Sequence, residues 1–161
     1  MTIFLEELAL GLPDTTQFVR LLVRLIVAAL LGAVVGIQRE RAGKAAGLRT
    51  HMLVALGATL FVVACAEFGM SSGDLSRVIQ GLTTGIGFIG GGAILKLSGE
   101  GEVKGLTTAA GIWMTAALGV VVGLGRYGAA ALSVVLAWII LGIIGSIEYR
   151  MERRRGQKVR K

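Results

Sequence analysis

Apolar and polar positions separate into long blocks along this chain. Five apolar stretches, residues 18–37, 52–68, 78–97, 106–124 and 129–147, are joined by short polar connections. About 20 residues of helix cross the hydrocarbon core of a bilayer, so each block predicts a membrane-spanning helix. The pattern predicts an all-α, polytopic membrane protein with five transmembrane helices in one compact unit, residues 15–149. Residues 1–14 form an outer interfacial segment: Ile3, Phe4, Leu5, Leu8, Leu10 and Leu12 predict a short amphipathic helix ended by Pro13, with a disordered N-terminus as the alternative. Residues 150–161 form a basic tail.

Composition agrees: 54% of the residues are hydrophobic, and the mean hydropathy of +0.76 is too high for a soluble domain of 161 residues. The net charge of +7 suggests nucleic acid until its distribution is seen. Of 17 basic residues, 13 fall on one side of the predicted membrane, in the connections after the first and third spans and in the tail. The positive-inside rule then places the N-terminus outside and the C-terminus in the cytoplasm. The expected location is the bacterial inner membrane, and no nucleic-acid partner is expected. The tail binds anionic lipid in this reading. Glu6 and Glu7 stand where a signal peptide carries basic residues, so none is expected. Cys65, the single cysteine, lies mid-span as a small packing residue.

Gly85-Ile86-Gly87-Phe88-Ile89-Gly90 spells the dinucleotide-binding string G-x-G-x-x-G, but that fingerprint needs a strand before it and an acidic residue after it. Here it is embedded in the third span, where six glycines fall between Gly81 and Gly92. Two readings are open. Small residues on two faces let two neighbouring helices approach closely. Alternatively, Gly90-Gly91-Gly92 breaks the helix and frees carbonyls to line a cavity.

The connections before the second and fourth spans resemble each other. Gly47-Leu48-x-Thr50 and Gly105-Leu106-x-Thr108 each follow a lysine-bearing loop and a span with small residues at its inner end. A duplicated hairpin is one explanation and chance similarity the other. Duplication predicts that the two Gly-Leu-x-Thr turns lie side by side about a pseudo-two-fold axis.

Four stretches in order, "ALLGAVVGIQRER", "AGLRTHMLVALGA", "DLSRV…TGIGFIGGGAIL" and "VKGLTTAAGIWMTAALG", resemble the MgtC/SapB family of bacterial inner-membrane proteins. The similarity runs from about Leu21 to Ile147. It departs at Gly81, where the family commonly has glutamine, and at the Gly90-Gly91-Gly92 triplet, usually Gly-Ala-Gly. Long members carry a soluble C-terminal domain, and this sequence resembles the short form without it. The resemblance implies a role in adaptation to magnesium limitation or, in pathogens, to host stress, with an association with virulence. It implies no known reaction.

Catalysis is not expected. There is one histidine and one cysteine, no cluster with metal-ligand spacing, and no nucleophile beside a base. No cofactor is expected and no metal site is assigned. None of the ten acidic residues lies mid-span, whereas proton and cation relays place carboxylates at depth.

The candidate functional residues are therefore few. Arg24 lies within the first span and either snorkels to the outer headgroups or pairs with Asp74 or Glu67. Asp74 and Arg77 have the spacing of a local cap and ion pair. Arg39, Glu40, Arg49 and Thr50 gather at the first inner turn, where Arg49 is either an anion ligand or an anchor. His51 beside them reads as a capping or interface residue. Thr84, Gly85, Gly87 and Gly91 mark the third span, and Thr107 and Thr108 the start of the fourth. Two functions follow. One is a non-enzymatic regulator acting through membrane partners, including another membrane protein complex. The other is a small-solute or ion transporter lined by threonine and glycine. A homo-oligomer, with a dimer favoured, is expected in either case.

Overall fold

A computed structural model describes residues 14–96 and 103–145, which contain five α-helices and a two-stranded ribbon. The helices are α1 (Thr15–Arg41), α2 (Leu48–Glu67), α3 (Ser72–Gly92), α4 (Leu106–Gly123) and α5 (Tyr127–Ile139), the last continuing into a π turn, Ile140–Ile144. Strands β1 (Leu95–Lys96) and β2 (Val103–Lys104) pair antiparallel between α3 and α4. The predicted interfacial segment, apart from Asp14, and the basic tail lie outside the described residues.

Three helices, α1, α2 and α4, are long and apolar enough to cross a membrane. Helix α5 is apolar but shorter. Helix α3 has 21 residues but carries seven glycines and the charged pair Asp74 and Arg77. It also starts six residues before the predicted third span and ends at Gly92 rather than residue 97. Its start is fixed by a capping box: Ser71 Oγ accepts from the Asp74 amide (3.2 Å), and Asp74 Oδ2 accepts from the Ser71 amide (3.3 Å). Its end is where the triplet Gly90-Gly91-Gly92 runs out, so these glycines close a continuous helix instead of breaking one.

Helices α1, α2 and α4 terminate alike. Gly43, Gly69 and Gly125 adopt positive φ, and the following amides reach back to Arg39, Cys65 and Val121 carbonyls. This is the Schellman arrangement, which glycine enters without steric penalty.

Helix α2 is the centre of the bundle. On one side it meets α1 antiparallel, through Gly32 against the His51–Met52 backbone and Gly36 against Leu48. On the other it runs parallel to α4: Gly119 abuts the Ala55 backbone, Gly123 abuts Val62, and Thr59 Oγ1 donates to Gly119 O at 2.8 Å. A Cβ at Gly32 would stand 2.6 Å from His51 O, so these approaches leave no space for a side chain. The buried face of α1 is Ala28, Gly32, Val35, Gly36 and Arg39, a stripe of helical period. Its opposite face exposes Leu22, Val23, Ile26, Leu30 and Val34, which suits lipid as the surrounding solvent.

The internal contacts of the two hairpins correspond, as a duplication would give. Gly32 packs on His51 and Gly36 on Gly47; Gly90 packs on Ala109, and Gly105 on Ile94. Each pair in the second hairpin is the first moved along by 58 positions. A two-fold axis parallel to the helices would set His51 level with Ala109. Instead His51 meets Thr115, Ala55 meets Gly119 and Thr59 meets Gly123. The second hairpin is thus displaced by six positions, about 9 Å at a rise of 1.5 Å per residue. The repeats are related, but not by a simple two-fold.

Candidate functional site

Where α1 ends and α2 and α4 begin, the bundle closes over polar groups. Arg39, the third residue from the end of α1, is 3% exposed and donates through Nη2 to Thr108 Oγ1 at 3.2 Å. His51, in the first turn of α2, is fully buried. Its Nδ1 lies 2.7 Å from Thr115 Oγ1, whose hydroxyl donates to Gly111 O at 2.9 Å. With that proton committed, the threonine oxygen accepts from Nδ1–H, and His51 Nε2 is left with a lone pair. Neither Arg39 Nε nor His51 Nε2 has a hydrogen-bond partner, although both are buried. Both flank Gly111, where an added Cβ would lie 3.5 Å from His51 Cε1 and 4.0 Å from Arg39 Nε.

Glu40, next in sequence, faces elsewhere: it is exposed, and Oε2 accepts from the Leu48 amide at 2.8 Å. It caps α2 from outside. Arg49 and Thr107 are exposed at the same end, and Thr50 is half-buried. Of the residues predicted there, the structure unites Arg39 and Thr108 and leaves the others at the rim. His51 was expected as a capping or interface residue and Thr115 only as one of the threonines that could line a pathway; their pairing was not predicted. The available signal was the spacing of Thr108, Gly111 and Thr115, which aligns one small polar stripe along α4.

At the other end, Arg24 reaches neither Asp74 nor Glu67. Its guanidinium lies 3.6 Å from the Cβ position of Gly125, over the turn between α4 and α5. Asp74 is already engaged by Ser71 and lies 3.8 Å from Arg77 Nη1, an exposed pair three residues apart. The local pairing is found and the long-range one is not.

Helix α3 is held loosely. Only Ile86 and Gly90 are buried along it. A groove of about 780 Å³ separates it from α2, lined by Leu53, Gly57, Phe61, Gly81, Gly85 and Phe88. A second, of about 230 Å³, separates it from α4 beside Thr83, Trp113 and Ala117. A Cβ at Gly81, Gly85, Gly87, Gly91 or Gly92 would meet nothing within 4 Å. The predicted packing of both small-residue faces against neighbours within the chain is therefore absent. Thr84 is exposed and donates to Gln80 O of its own helix at 3.0 Å. Thr83 does the same to Ile79 O at 2.8 Å.

Among the described residues no group of three or more histidine, cysteine or acidic side chains comes together as a metal site. The described carboxylates, Asp14, Glu40, Glu67 and Asp74, are all exposed. The arrangement defines a helical membrane protein with one buried cationic node and a loosely attached glycine-rich helix. The chain belongs to the MgtC family, whose profile matches residues 25–150. It is 48% identical to protein SrpB of Synechococcus elongatus over 118 residues, 65% of this chain and 63% of that one. It is 37% identical to the putative magnesium transporter YhiD of Escherichia coli K12 over 145 residues, 85% of this chain and 65% of YhiD. Protein MgtC of Salmonella typhimurium LT2 is 40% identical over 107 residues, 66% of this chain and 44% of its own length. The chain thus spans less than two thirds of the length of these relatives. No solved structure matches it.

Proposed function

We propose that this chain is a non-enzymatic regulator of the bacterial inner membrane that works by docking another membrane-embedded helix against α3. In this reading all five helices cross or enter the bilayer, the N-terminus lies outside, and the α1–α2 turn and the tail are cytoplasmic. The carrying observation is the open surface of α3, with an apolar groove on each side and Gly81, Gly85, Gly87, Gly91 and Gly92 meeting nothing among the described residues. Without a hydrophobic driving force between helices in lipid, close backbone approach at small residues is what holds them together. A glycine-rich face with no partner in its own chain suits a partner from outside it. The family and its magnesium-related names support a role in adaptation to magnesium limitation or host stress.

The alternative is a small-solute or ion pathway at α3, which the printed name of YhiD favours. Against it, the Thr83 and Thr84 hydroxyls are spent on their own helix, and no described carboxylate faces the interior. Magnesium binds through several oxygen ligands in octahedral array, and the one carboxylate of α3, Asp74, is engaged by Ser71 at the start of the helix.

The test compares Gly85→Leu and Gly91→Leu with the unaltered protein for membrane abundance, rescue of growth in low magnesium, and ion flux in liposomes. The regulator reading expects normal abundance, lost rescue and no flux from either protein. Flux by the unaltered protein that Gly91→Leu removes would establish the transporter instead.

A further inference from the structure

Among the described residues, nothing balances the charge of the buried node at the end of α1. Arg39 has one hydrogen bond, to the neutral Thr108, and no carboxylate beside it; Glu40 is turned away to cap α2. A buried ion left unpaired is strongly disfavoured. The surroundings raise the positive potential further. Helix α2 begins here, with His51 in its first turn, so the positive end of its dipole lies at the node. Two polar atoms of the node, Arg39 Nε and His51 Nε2, are buried without a hydrogen-bond partner, and Arg39 Nε and His51 Cε1 lie 4.0 and 3.5 Å from the Cβ position of Gly111.

We propose that the space in front of Gly111, between the Arg39 guanidinium and the His51 imidazole, binds a small oxyanion of the carboxylate or phosphate class. Arg39 Nε–H donates to one oxygen and supplies the counter-charge. His51 joins by changing tautomer. When the Thr115 hydroxyl rotates from Gly111 O to His51 Nδ1, both already within 2.9 Å, the imidazole proton moves to Nε2 and faces the anion. The empty node keeps Nδ1–H toward Thr115, and the filled node presents two donors to the ligand. A divalent cation is excluded by the guanidinium. This site is separate from the α3 surface and stands or falls independently of the regulatory reading.

The chain's single histidine makes the test direct, because ¹⁵N-histidine labelling yields one imidazole. The full chain in maltoside micelles, in buffer free of chloride and phosphate, is titrated with sodium formate, sodium phosphate and, separately, phosphatidylglycerol. The expected result is a saturable shift in which Nε2 becomes the protonated nitrogen. Saturation by formate or phosphate identifies a free ion as the source, and saturation by the lipid alone identifies its headgroup. Arg39→Gln should abolish the shift. Gly111→Ala places a methyl group in the space at ordinary contact distances, so helicity and melting should be retained while binding weakens by about tenfold, the equivalent of one hydrogen bond. An unchanging Nδ1–H tautomer with every probe means that only water occupies the node and overturns the proposal. So does an equal shift in Arg39→Gln or Gly111→Ala.

Discussion

A single methyl group has opposite consequences at different glycines of this chain. At Gly119 it would collide with the Ala55 backbone, which cannot move without carrying α2 with it. Gly119→Ala should therefore destabilise the bundle by about 1–3 kcal/mol, the usual range for overpacking, seen as earlier unfolding in a denaturing-detergent titration. Gly81→Ala, with nothing within 4 Å, should leave the same titration unchanged. Thr108 is the next test at this scale. Thr108→Val keeps the shape but removes the only bond to the Arg39 guanidinium. It should cost about 1–3 kcal/mol, as for a buried polar group left unsatisfied, and Thr108→Ser should recover most of that loss.

Among the elements, α3 is the least secured. It contributes two buried residues, whereas α4 contributes nine, and its first turn depends on Ser71 and Asp74. Amides of α3 should exchange with solvent before those of α2 and α4, since local stability follows buried contact. Ser71→Ala should widen that difference by about 0.5–2 kcal/mol, the worth of an N-cap, without shifting exchange in α2. The existence of the helices was readable from apolar block length, and the repeat from Gly47-Leu48-x-Thr50 and Gly105-Leu106-x-Thr108. The boundary of α3 was not, because its first turn is polar and a hydropathy window passes over Ser71 and Asp74. The long-range partners were unreadable for another reason. Whether Arg24 meets Asp74 or the α4–α5 turn depends on how helices are arranged around α2, and no local pattern encodes that. His51 showed the same limit: its role follows from α4 being offset against α2, which brings Thr115 rather than Ala109 alongside. The π turn at the end of α5 had no signal in α5 itself. Its Trp138 carbonyl accepts from Gln38 Nε2 of α1 at 3.0 Å, and Gly142 leaves the space for that side chain.

For the whole molecule, leucine at Gly87 or Gly91 separates fold from function. Neither site meets another of the described residues, so membrane abundance should hold while, on the proposed function, rescue of growth in low magnesium fails. Leucine at Val135, exposed on α5 and away from both grooves, should change neither. Equal rescue by all three would remove the reason for placing the working surface on α3. The displacement of the second hairpin reaches further than the packing of α2 on α4. A slip of about 9 Å is close to a third of a hydrocarbon core of roughly 30 Å, so the two Gly-Leu-x-Thr turns cannot share one depth. The bilayer must thin, or the bundle must tilt, on the side of α3 and α4, at fractions of a kcal/mol per Å of mismatch. On the proposed function, a partner seated on α3 would displace lipid on that same side. Acyl chain length should then tune how tightly such a partner is held, which partner recovery from nanodiscs of short and long lipids would check.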